Sequence, residues 1–344
     1  VSAVFESYWN SQDFEPYVRE EFLSRIPQVS SGSSTFILSP TEIRLEPFQE
    51  RLLEQIEISR EQGRHRNLLV SATGTGKTVM AAVDYARLKA KLKRSRLLFV
   101  AHREELLDQA QATFAHALRD PSFGEKWVGR HRPATFDYVF ASIQSLHANG
   151  LDDLDPQHFD VVILDEFHHA AAPTYRTLLG RVRPQELLGL TATPERSDGL
   201  PLLDLFDGRI AAELRLWDAI DQHRLCPFVY YGIHDGVDLR DLPWRRGTGY
   251  DVEALSNLLT TTDAWARLVL QEVEKHVDDV LTMKVLGFCV SVDHARYMAR
   301  TFNDAGVAAV AVWGDSPEEE RRAALYDLRD GRVKAVFSVD LFNE

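Results

Sequence analysis

SATGTGKT, at residues 71–78, follows the apolar run NLLV (67–70) and opens a predicted helix. A glycine-rich turn between a buried strand and a helix directs backbone N–H groups at an anion, which is the arrangement of a phosphate-binding loop. Gly74 and Gly76 permit the tight turn that this arrangement needs. The stretch departs from the pattern G-x-x-x-x-G-K-[ST] at Ser71, which replaces the first glycine. Strand, glycines, lysine and threonine together predict a nucleotide-binding loop.

The residues of this loop supply a candidate site for a triphosphate and its metal ion. Lys77 is expected to reach the β- and γ-phosphates, and Thr78 to bind Mg²⁺ through its hydroxyl. The loop residues before the lysine complete the predicted site, namely Thr73, Gly74, Thr75 and Gly76. We therefore expect ATP and Mg²⁺ to bind here.

A second chemical signal is the acidic pair that ends VVILDEFHH (161–169). In open parallel sheets, ligands bind at the carboxyl ends of the strands, so this pair is expected beside the phosphate loop. Asp165 is predicted to hold Mg²⁺, mostly through water. Glu166 is predicted to orient and deprotonate the attacking water.

The apolar runs around these motifs predict an α/β fold. They are short and almost continuously apolar, as strands covered on both faces must be. They are NLLV (67–70), RLLFVAH (96–102), YVFAS (138–142), VVILDE (161–166) and LLGLTAT (187–193). The segment 104–118 has helical apolar spacing between two of them. Strand and helix alternation predicts a parallel sheet flanked by helices.

Composition narrows the classes of protein. The chain has 344 residues, 44% of them hydrophobic and 26% charged, which is typical of a globular protein. No apolar run is long enough to span a membrane. The two cysteines exclude a disulfide framework, so a reducing, cytoplasmic setting is expected. The net charge of −13 argues against a nucleic-acid coat protein but leaves room for a local basic groove.

Changes in pattern along the chain suggest four regions. Residues 1–35 are interpreted as a tail or linker from a preceding domain, and 36–212 as an ATP-binding lobe. Residues 213–262, rich in Trp, Gly and charge, are interpreted as a connector. In 263–344 the strand and helix alternation resumes, and the sequence stops just after a predicted strand. This last region is expected to be part of a second lobe.

An ordered series of motifs resembles superfamily 2 helicases and translocases of the DEAD/DEAH kind. The series is LEPFQ (45–49), SATGTGKT (71–78), VAHREELLDQ (100–109), ASIQSL (141–146), DEFH (165–168), LTATPER (190–196), GFCVSVDHA (287–295) and VFSVDLFNE (336–344). The resemblance implies a complete first RecA-like lobe and a truncated second one. It also implies ATP-dependent movement along a nucleic acid.

The resemblance assigns further roles residue by residue. Gln49 is implied to read adenine. Nucleic-acid contacts are implied for His102, Arg103, Ser142 and Gln144, and coupling between the two sites for His168, Thr191 and Thr193. Simpler interpretations stay open: a capped helix at Arg103, turn residues in 141–146, and local capping by the threonines.

Three basic or aromatic features have two interpretations each. The tetrapeptide GRHR occurs at 63–66 and at 129–132, either by chance or as phosphate contacts. The basic stretch 87–96 is more typical of a solvated face than of a nucleic-acid patch. Trp244, in the connector, either stacks on nucleic acid or packs in a small hydrophobic cluster.

The flanks FESYWNSQDFEPYVREEFL (5–23) and LCPFVYYGIHDGVDL (225–239) resemble bacterial restriction or defence proteins whose helicase follows a phospholipase D-like nuclease domain. This narrower resemblance favours DNA over RNA as partner and implies flanking domains outside this chain. The alternatives are an ATP-switched DNA clamp without translocation and a kinase or GTPase using the same loop. Related motors complete their ATP site with arginines from a later motif, so this chain is expected to hydrolyse ATP weakly.

Overall fold

The computed structural model describes residues 43–149, 155–166, 172–194, 203–234, 239–240, 242–245, 249–261, 263–339 and 341. The chain divides into two compact units, Val1–Pro227 and Phe228–Glu344. Among the described helices, none combines the length and the apolar character that crossing a bilayer requires.

The first unit is built on a seven-stranded sheet. Its strands are β1 (Arg66–Ser71), β2 (Leu97–Ala101), β3 (Glu125–Trp127), β4 (Tyr138–Ser142), β5 (Val161–Asp165), β6 (Glu186–Thr191) and β7 (Ala212–Leu214). Their order in the sheet is β3-β4-β2-β5-β6-β1-β7. Every pair of neighbours is parallel. The predicted parallel sheet is confirmed, and all its carboxyl ends lie at one edge, called the carboxyl edge below.

Helices connect these strands. They are α1 (Pro47–Glu61), α2 (Lys77–Lys91), α3 (Glu104–Leu118), α4 (Ile143–Asn149), α5 (Ala172–Arg181) and α6 (Leu216–Asp221), with a short 3₁₀ turn at Leu203–Phe206. The helix predicted over 104–118 has those same bounds, because its apolar residues recur at the helical period over the whole stretch.

Both faces of the sheet are buried. Alternate residues of each strand enter opposite cores. Leu69, Phe99 and Ile163 belong to one core, whereas Leu68 and Leu98 belong to the other. The runs are therefore apolar at consecutive positions, as the sequence indicated.

The opposite edge, called the amino edge, is held by ion pairs. Four of the six cationic residues in the basic stretch 87–96 pair with carboxylates of the first unit. Arg87 pairs with Glu50 at 2.7 Å, Arg94 with Asp160 at 2.9 Å, Arg96 with Asp137 at 2.9 Å, and Lys91 with Glu57. The structure thus favours the solvated-face interpretation of this stretch over a nucleic-acid patch.

Arg60 is the centre of a buried ionic cluster at the same edge. Its guanidinium lies 2.6 Å from Asp84 Oδ1 on α2 and 3.0 Å from Glu186 Oε2 on β6. Glu186 Oε1 also lies 2.6 Å from His65 Nδ1. Burial alone lowers the pKa of Arg60, but the hydrogen bonds and charges of Asp84 and Glu186 raise it above its ordinary value. The cluster ties α1 to α2 and to the sheet.

The region interpreted as a connector, 213–262, contributes to the first unit. Strand β7 pairs with β1 in register Leu69↔Ala212, and the first unit extends to Pro227. Ala212 and Leu214 are buried, but a three-residue strand is too short to show in the sequence pattern. The lobe boundary proposed at residue 212 thus cuts through this strand.

The second unit contains a three-stranded parallel sheet in the order β10-β12-β11. These strands are β10 (Val285–Phe288), β11 (Ala309–Trp313) and β12 (Ala335–Val339). Its helices are α7 (Val252–Thr261), α8 (Asp263–His276), α9 (Val292–Asp304) and α10 (Glu318–Arg329). Two short antiparallel strands precede these helices, namely β8 (Trp244–Arg245) and β9 (Gly249–Tyr250). Trp244 is 59% exposed, so it does not fill a hydrophobic cluster.

Candidate functional site

The phosphate loop joins β1 to α2 at the carboxyl edge. Gly74 has φ 87° and Gly76 has φ 83°, a left-handed conformation that glycine adopts without strain. A Cβ on Gly76 would also lie 2.6 Å from Gln49 Nε2. Gly76 is therefore required both by its backbone conformation and by the close approach of Gln49.

Ser71, which replaces the first glycine of the usual loop pattern, forms a hydrogen bond with a residue of the loop. Its Oγ lies 2.6 Å from Thr75 Oγ1, and Thr75 Oγ1 donates to the carbonyl of Ala72 at 2.6 Å. Because the Thr75 hydroxyl hydrogen is used there, the Ser71 hydroxyl donates to Thr75. Both side chains are buried, so this pair of hydrogen bonds closes the turn from its protein side.

Lys77 and Glu166 meet across the site. Lys77 Nζ lies 2.8 Å from Glu166 Oε1, and the two side chains are only 8% and 11% exposed. Glu166 has φ 42°, a conformation that costs a non-glycine residue about 1–3 kcal/mol. Its N–H donates to the carbonyl of Leu190 at 3.1 Å, which holds this conformation. Strain of this kind is concentrated at functional sites.

Neighbouring strands bring the remaining predicted residues to the same place. In the sheet, Asp165 lies beside Leu190 on β6, and Thr191 lies beside Val70 on β1. Asp165 is buried, and Thr78 is half-buried in the first turn of α2. The strands β5, β6 and β1 are consecutive in the sheet, so Asp165, Thr191 and the phosphate loop all lie at the carboxyl edge.

Gln49 is attached to the loop itself. Its Oε1 accepts from the N–H of Glu46 at 2.9 Å, and its Nε2 donates to the carbonyl of Thr75 at 2.9 Å. A glutamine amide has two donor hydrogens and two acceptor lone pairs, so one of each stays available for a base. The sequence did not predict that the candidate adenine reader also supports the phosphate loop.

The four candidate nucleic-acid residues lie together at the carboxyl ends of β2 and β4. Ala101 and Ser142 are sheet partners, and Gln144 Nε2 donates to the carbonyl of His102 at 3.1 Å. Ser142 Oγ donates to Ser145 Oγ at 2.8 Å, so this buried hydroxyl serves α4 locally. Arg103 is half-buried and precedes α3.

The residues proposed for coupling divide into two groups. Thr191 Oγ1 accepts from the N–H of Thr193 at 3.2 Å and donates to the carbonyl of Thr193 at 3.1 Å. This is the local capping that the sequence left open, at the end of β6. His168 and its neighbour His169 lie outside the described residues.

The two copies of GRHR lie at opposite edges of the sheet. The copy at 63–66 leads into β1 at the amino edge, where Arg66 Nε donates to the carbonyl of Leu205 at 3.0 Å. The copy at 129–132 follows β3 at the carboxyl edge, where the N–H of Gly129 donates to Ser145 Oγ at 2.7 Å. Its residues are exposed. Identical sequence thus occupies two different environments.

The segment after β7 also lines the phosphate loop, which the sequence did not indicate. The N–H of Ala72 donates to the carbonyl of Leu214 at 3.0 Å. Leu225 Cδ2 lies 3.2 Å from where a Cβ on Gly74 would be. Arg224 lies above the ring of Phe48, 5.3 Å from its centroid. These residues are far apart in the chain, so no local pattern could show their contact.

The chain is similar in sequence to several known proteins. Residues 42–196 match the family described as "Type III restriction enzyme, res subunit". A 51.5 kDa protein of Lactococcus phage (isolate 7-9) is 30% identical over 278 residues, which are 80% of this chain and 55% of the phage protein. A candidate ATP-dependent helicase of Saccharomyces cerevisiae, IRC3, is 25% identical over 313 residues, 87% of this chain and 45% of its own length.

One solved structure supports the fold. The ATP-dependent Type ISP restriction-modification enzyme LlaBIII bound to DNA has a TM-score of 0.61 and 15% identity, over 90% of this chain and 25% of that chain. This likeness shows the RecA-like fold alone. The chain spans about half the length of the curated relatives described above. The expected phospholipase D-like domain stays a prediction.

Proposed function

We propose that this chain is a superfamily 2 helicase core, which binds ATP with Mg²⁺ and hydrolyses it to move along, or unwind, a nucleic acid. The observation that supports this most is the Lys77–Glu166 pair, 2.8 Å apart beside the phosphate loop. A buried cation and a buried carboxylate at a glycine loop are two of the charged groups that nucleotide hydrolysis uses.

The first step that we propose is an exchange of partners. When a triphosphate enters the loop, Lys77 turns from Glu166 to the phosphate oxygens and neutralises part of their charge. Glu166 is then released to accept a proton from the attacking water. One ion pair thus holds both groups in position until the substrate separates them.

The metal site in this proposal consists of the Thr78 hydroxyl and the Asp165 carboxylate. Mg²⁺ prefers oxygen ligands and keeps several waters, so two protein oxygens are enough. When bound there, Mg²⁺ would supply positive charge that offsets the negative charge of the phosphates. The burial of Asp165 at the end of β5 supports this assignment.

The nucleic acid, in this proposal, crosses the ends of β2, β4 and β3. These strands are consecutive in the sheet, and their carboxyl ends carry Arg103, Gln144 and the exposed GRHR copy at 129–132. Phosphate contacts of this kind fix the position of a strand without reading its sequence. We propose DNA over RNA because residues 42–196 match a family of restriction-enzyme subunits.

The test is the ATPase rate of this chain with single- and double-stranded DNA and RNA of equal length. We expect stimulation by DNA above RNA. Displacement of a triplex-forming strand reports translocation in the same samples. Turnover without displacement would support a DNA clamp instead. A preference for GTP over ATP in a binding competition would favour the kinase or GTPase alternative.

A further inference from the structure

The chain turns sharply after α6 and returns to the phosphate loop. His223 has φ 55°, and the N–H groups of Arg224 and Leu225 both donate to the carbonyl of Ala219, at 2.8 and 3.2 Å. These hydrogen bonds fix the direction in which residues 224 and 225 leave the helix. The turn is therefore a built feature of the first unit.

The same segment is attached to the phosphate loop at two points. Before α6, the carbonyl of Leu214 accepts from the N–H of Ala72 at 3.0 Å. After α6, Leu225 Cδ2 lies 3.2 Å from the position that a Cβ on Gly74 would take. The absence of a side chain at Gly74 is what admits Leu225 so close to the loop.

Arg224 occupies the next position around the loop. Its Cζ lies 5.3 Å from the ring centroid of Phe48, which is 7% exposed and is covered by the guanidinium. Arg224 itself is exposed. A guanidinium is planar and can stack on aromatic faces, and Arg224 lies exposed above Phe48, where a second flat ring could stack on it.

These contacts indicate where the base of a nucleotide bound at the phosphate loop would lie. The loop N–H groups would donate hydrogen bonds to the phosphates of a bound nucleotide. The base of that nucleotide would then lie beyond the loop. Phe48 adjoins Gln49, which is hydrogen-bonded to the loop carbonyl of Thr75. Arg224, Leu225 and Gln49 thus surround the loop on the side where α1 begins.

We propose that Arg224 stacks on the nucleobase of the bound purine nucleoside triphosphate, with Leu225 packing beside it. The inference rests on the proposed function, because it requires a nucleotide at the phosphate loop. Stacking on a flat ring does not distinguish one purine from another. Arg224 therefore raises affinity for nucleotides over bare polyphosphate, whereas Gln49 selects the base.

The experiment measures the affinities of the whole chain for ATP and for inorganic tripolyphosphate, both with Mg²⁺. For Arg224→Ala we expect ATP affinity to fall roughly 5- to 30-fold while tripolyphosphate affinity changes less than about two-fold. Arg224→Lys keeps the charge without the plane and should not restore ATP affinity. Arg51→Ala removes an exposed arginine from α1 and serves as the matched control.

Each other outcome has a definite meaning. A parallel loss of both affinities in Arg224→Ala, with recovery in Arg224→Lys, would show that Arg224 acts through charge on the phosphates and would overturn the proposal. Unchanged ATP affinity would overturn it as well. Lys77→Ala tests the proposed phosphate site separately, because it should weaken the binding of both ATP and tripolyphosphate. If the unmodified chain bound neither ligand, the proposed function would fail together with this inference.

Discussion

Lys77 Nζ lies 2.8 Å from Glu166 Oε1, an ion pair that joins the start of α2 to the residue after β5. Both side chains are nearly buried, so each compensates the charge of the other. Removing one partner leaves the other charge buried and unpaired. Substitutions at these positions therefore change the stability of the site as well as its chemistry, and a useful test must separate the two effects.

The first prediction separates binding from turnover. We expect Lys77→Ala to lose ATP binding, and Glu166→Gln to keep ATP binding while turnover falls about 10²–10⁴-fold, the usual contribution of a general base. Nucleotide affinity by calorimetry and phosphate release by a coupled assay measure the two quantities. Ordinary turnover in either variant would contradict the assigned roles.

The second prediction concerns Gln49. Gln49→Ala should narrow the preference for ATP over GTP, because the amide presents both a donor and an acceptor to the base. It should also lower the free energy of unfolding by about 0.5–2 kcal/mol, since the hydrogen bond to the N–H of Glu46 is lost. Competition binding and urea denaturation check the two parts. Gln55→Ala, on the exposed face of α1, is the control. An unchanged ATP to GTP ratio would mean that adenine is recognised elsewhere.

The third prediction tests the buried cluster at the amino edge. Arg60→Ala leaves Asp84 and Glu186 without their cation, so the free energy of unfolding should fall by about 3–5 kcal/mol. Arg87→Ala breaks an exposed pair with Glu50 and should cost about 0–1 kcal/mol. Urea denaturation of both variants measures the difference. Equal losses would show that burial of the cluster has no energetic weight.

The fourth prediction uses the repeated tetrapeptide. The double variant Arg130→Ala/Arg132→Ala should reduce the slope of log K against log salt for DNA binding by about 1–2, because two phosphate contacts are lost. Arg64→Ala/Arg51→Ala changes the net charge equally but alters the amino edge and α1. Fluorescence anisotropy over a range of salt concentrations gives both slopes. Identical slopes in the two double variants would place the DNA elsewhere.

The fifth prediction concerns the two thiols. Burial raises the pKa of Cys289 to about 12, so at pH 8 its reactive thiolate is scarce. Cys226 is exposed. A maleimide at pH 8 should therefore label Cys226 alone in the native chain, and both cysteines in denaturant, as peptide mass spectrometry can show. Equal labelling of both in the native chain would contradict the burial of Cys289.

Local patterns predicted the elements that carry the candidate site. The phosphate loop, the strand ending in Asp165 and the helix beginning at Glu104 all depend on neighbours in sequence, and the structure reproduces them within one or two residues. Strand β7 was not predicted, because three residues are too few to show an apolar pattern. The candidate ATP and Mg²⁺ residues could be predicted for the same reason, because they lie in short motifs of consecutive residues.

Contacts between distant residues could not be predicted in this way. Arg60 finds its partners on α2 and β6, and Arg224 reaches Phe48 from the far end of the first unit. The left-handed backbone of Glu166 likewise results from its hydrogen bond to Leu190. Such features arise from tertiary packing, and no sequence period indicates them.

The parallel direction of all seven strands has an evolutionary consequence. In the proposal above, loops at the carboxyl edge adjoin the ligands, so insertions there that spare the Lys77–Glu166 pair can change substrate preference. Loops at the amino edge are bound into pairs such as Arg94–Asp160 and Arg96–Asp137, so insertions there disturb the scaffold. Chain direction therefore divides the protein into an adaptable side and a conservative side, and an engineer who wishes to retarget it should confine changes to the first.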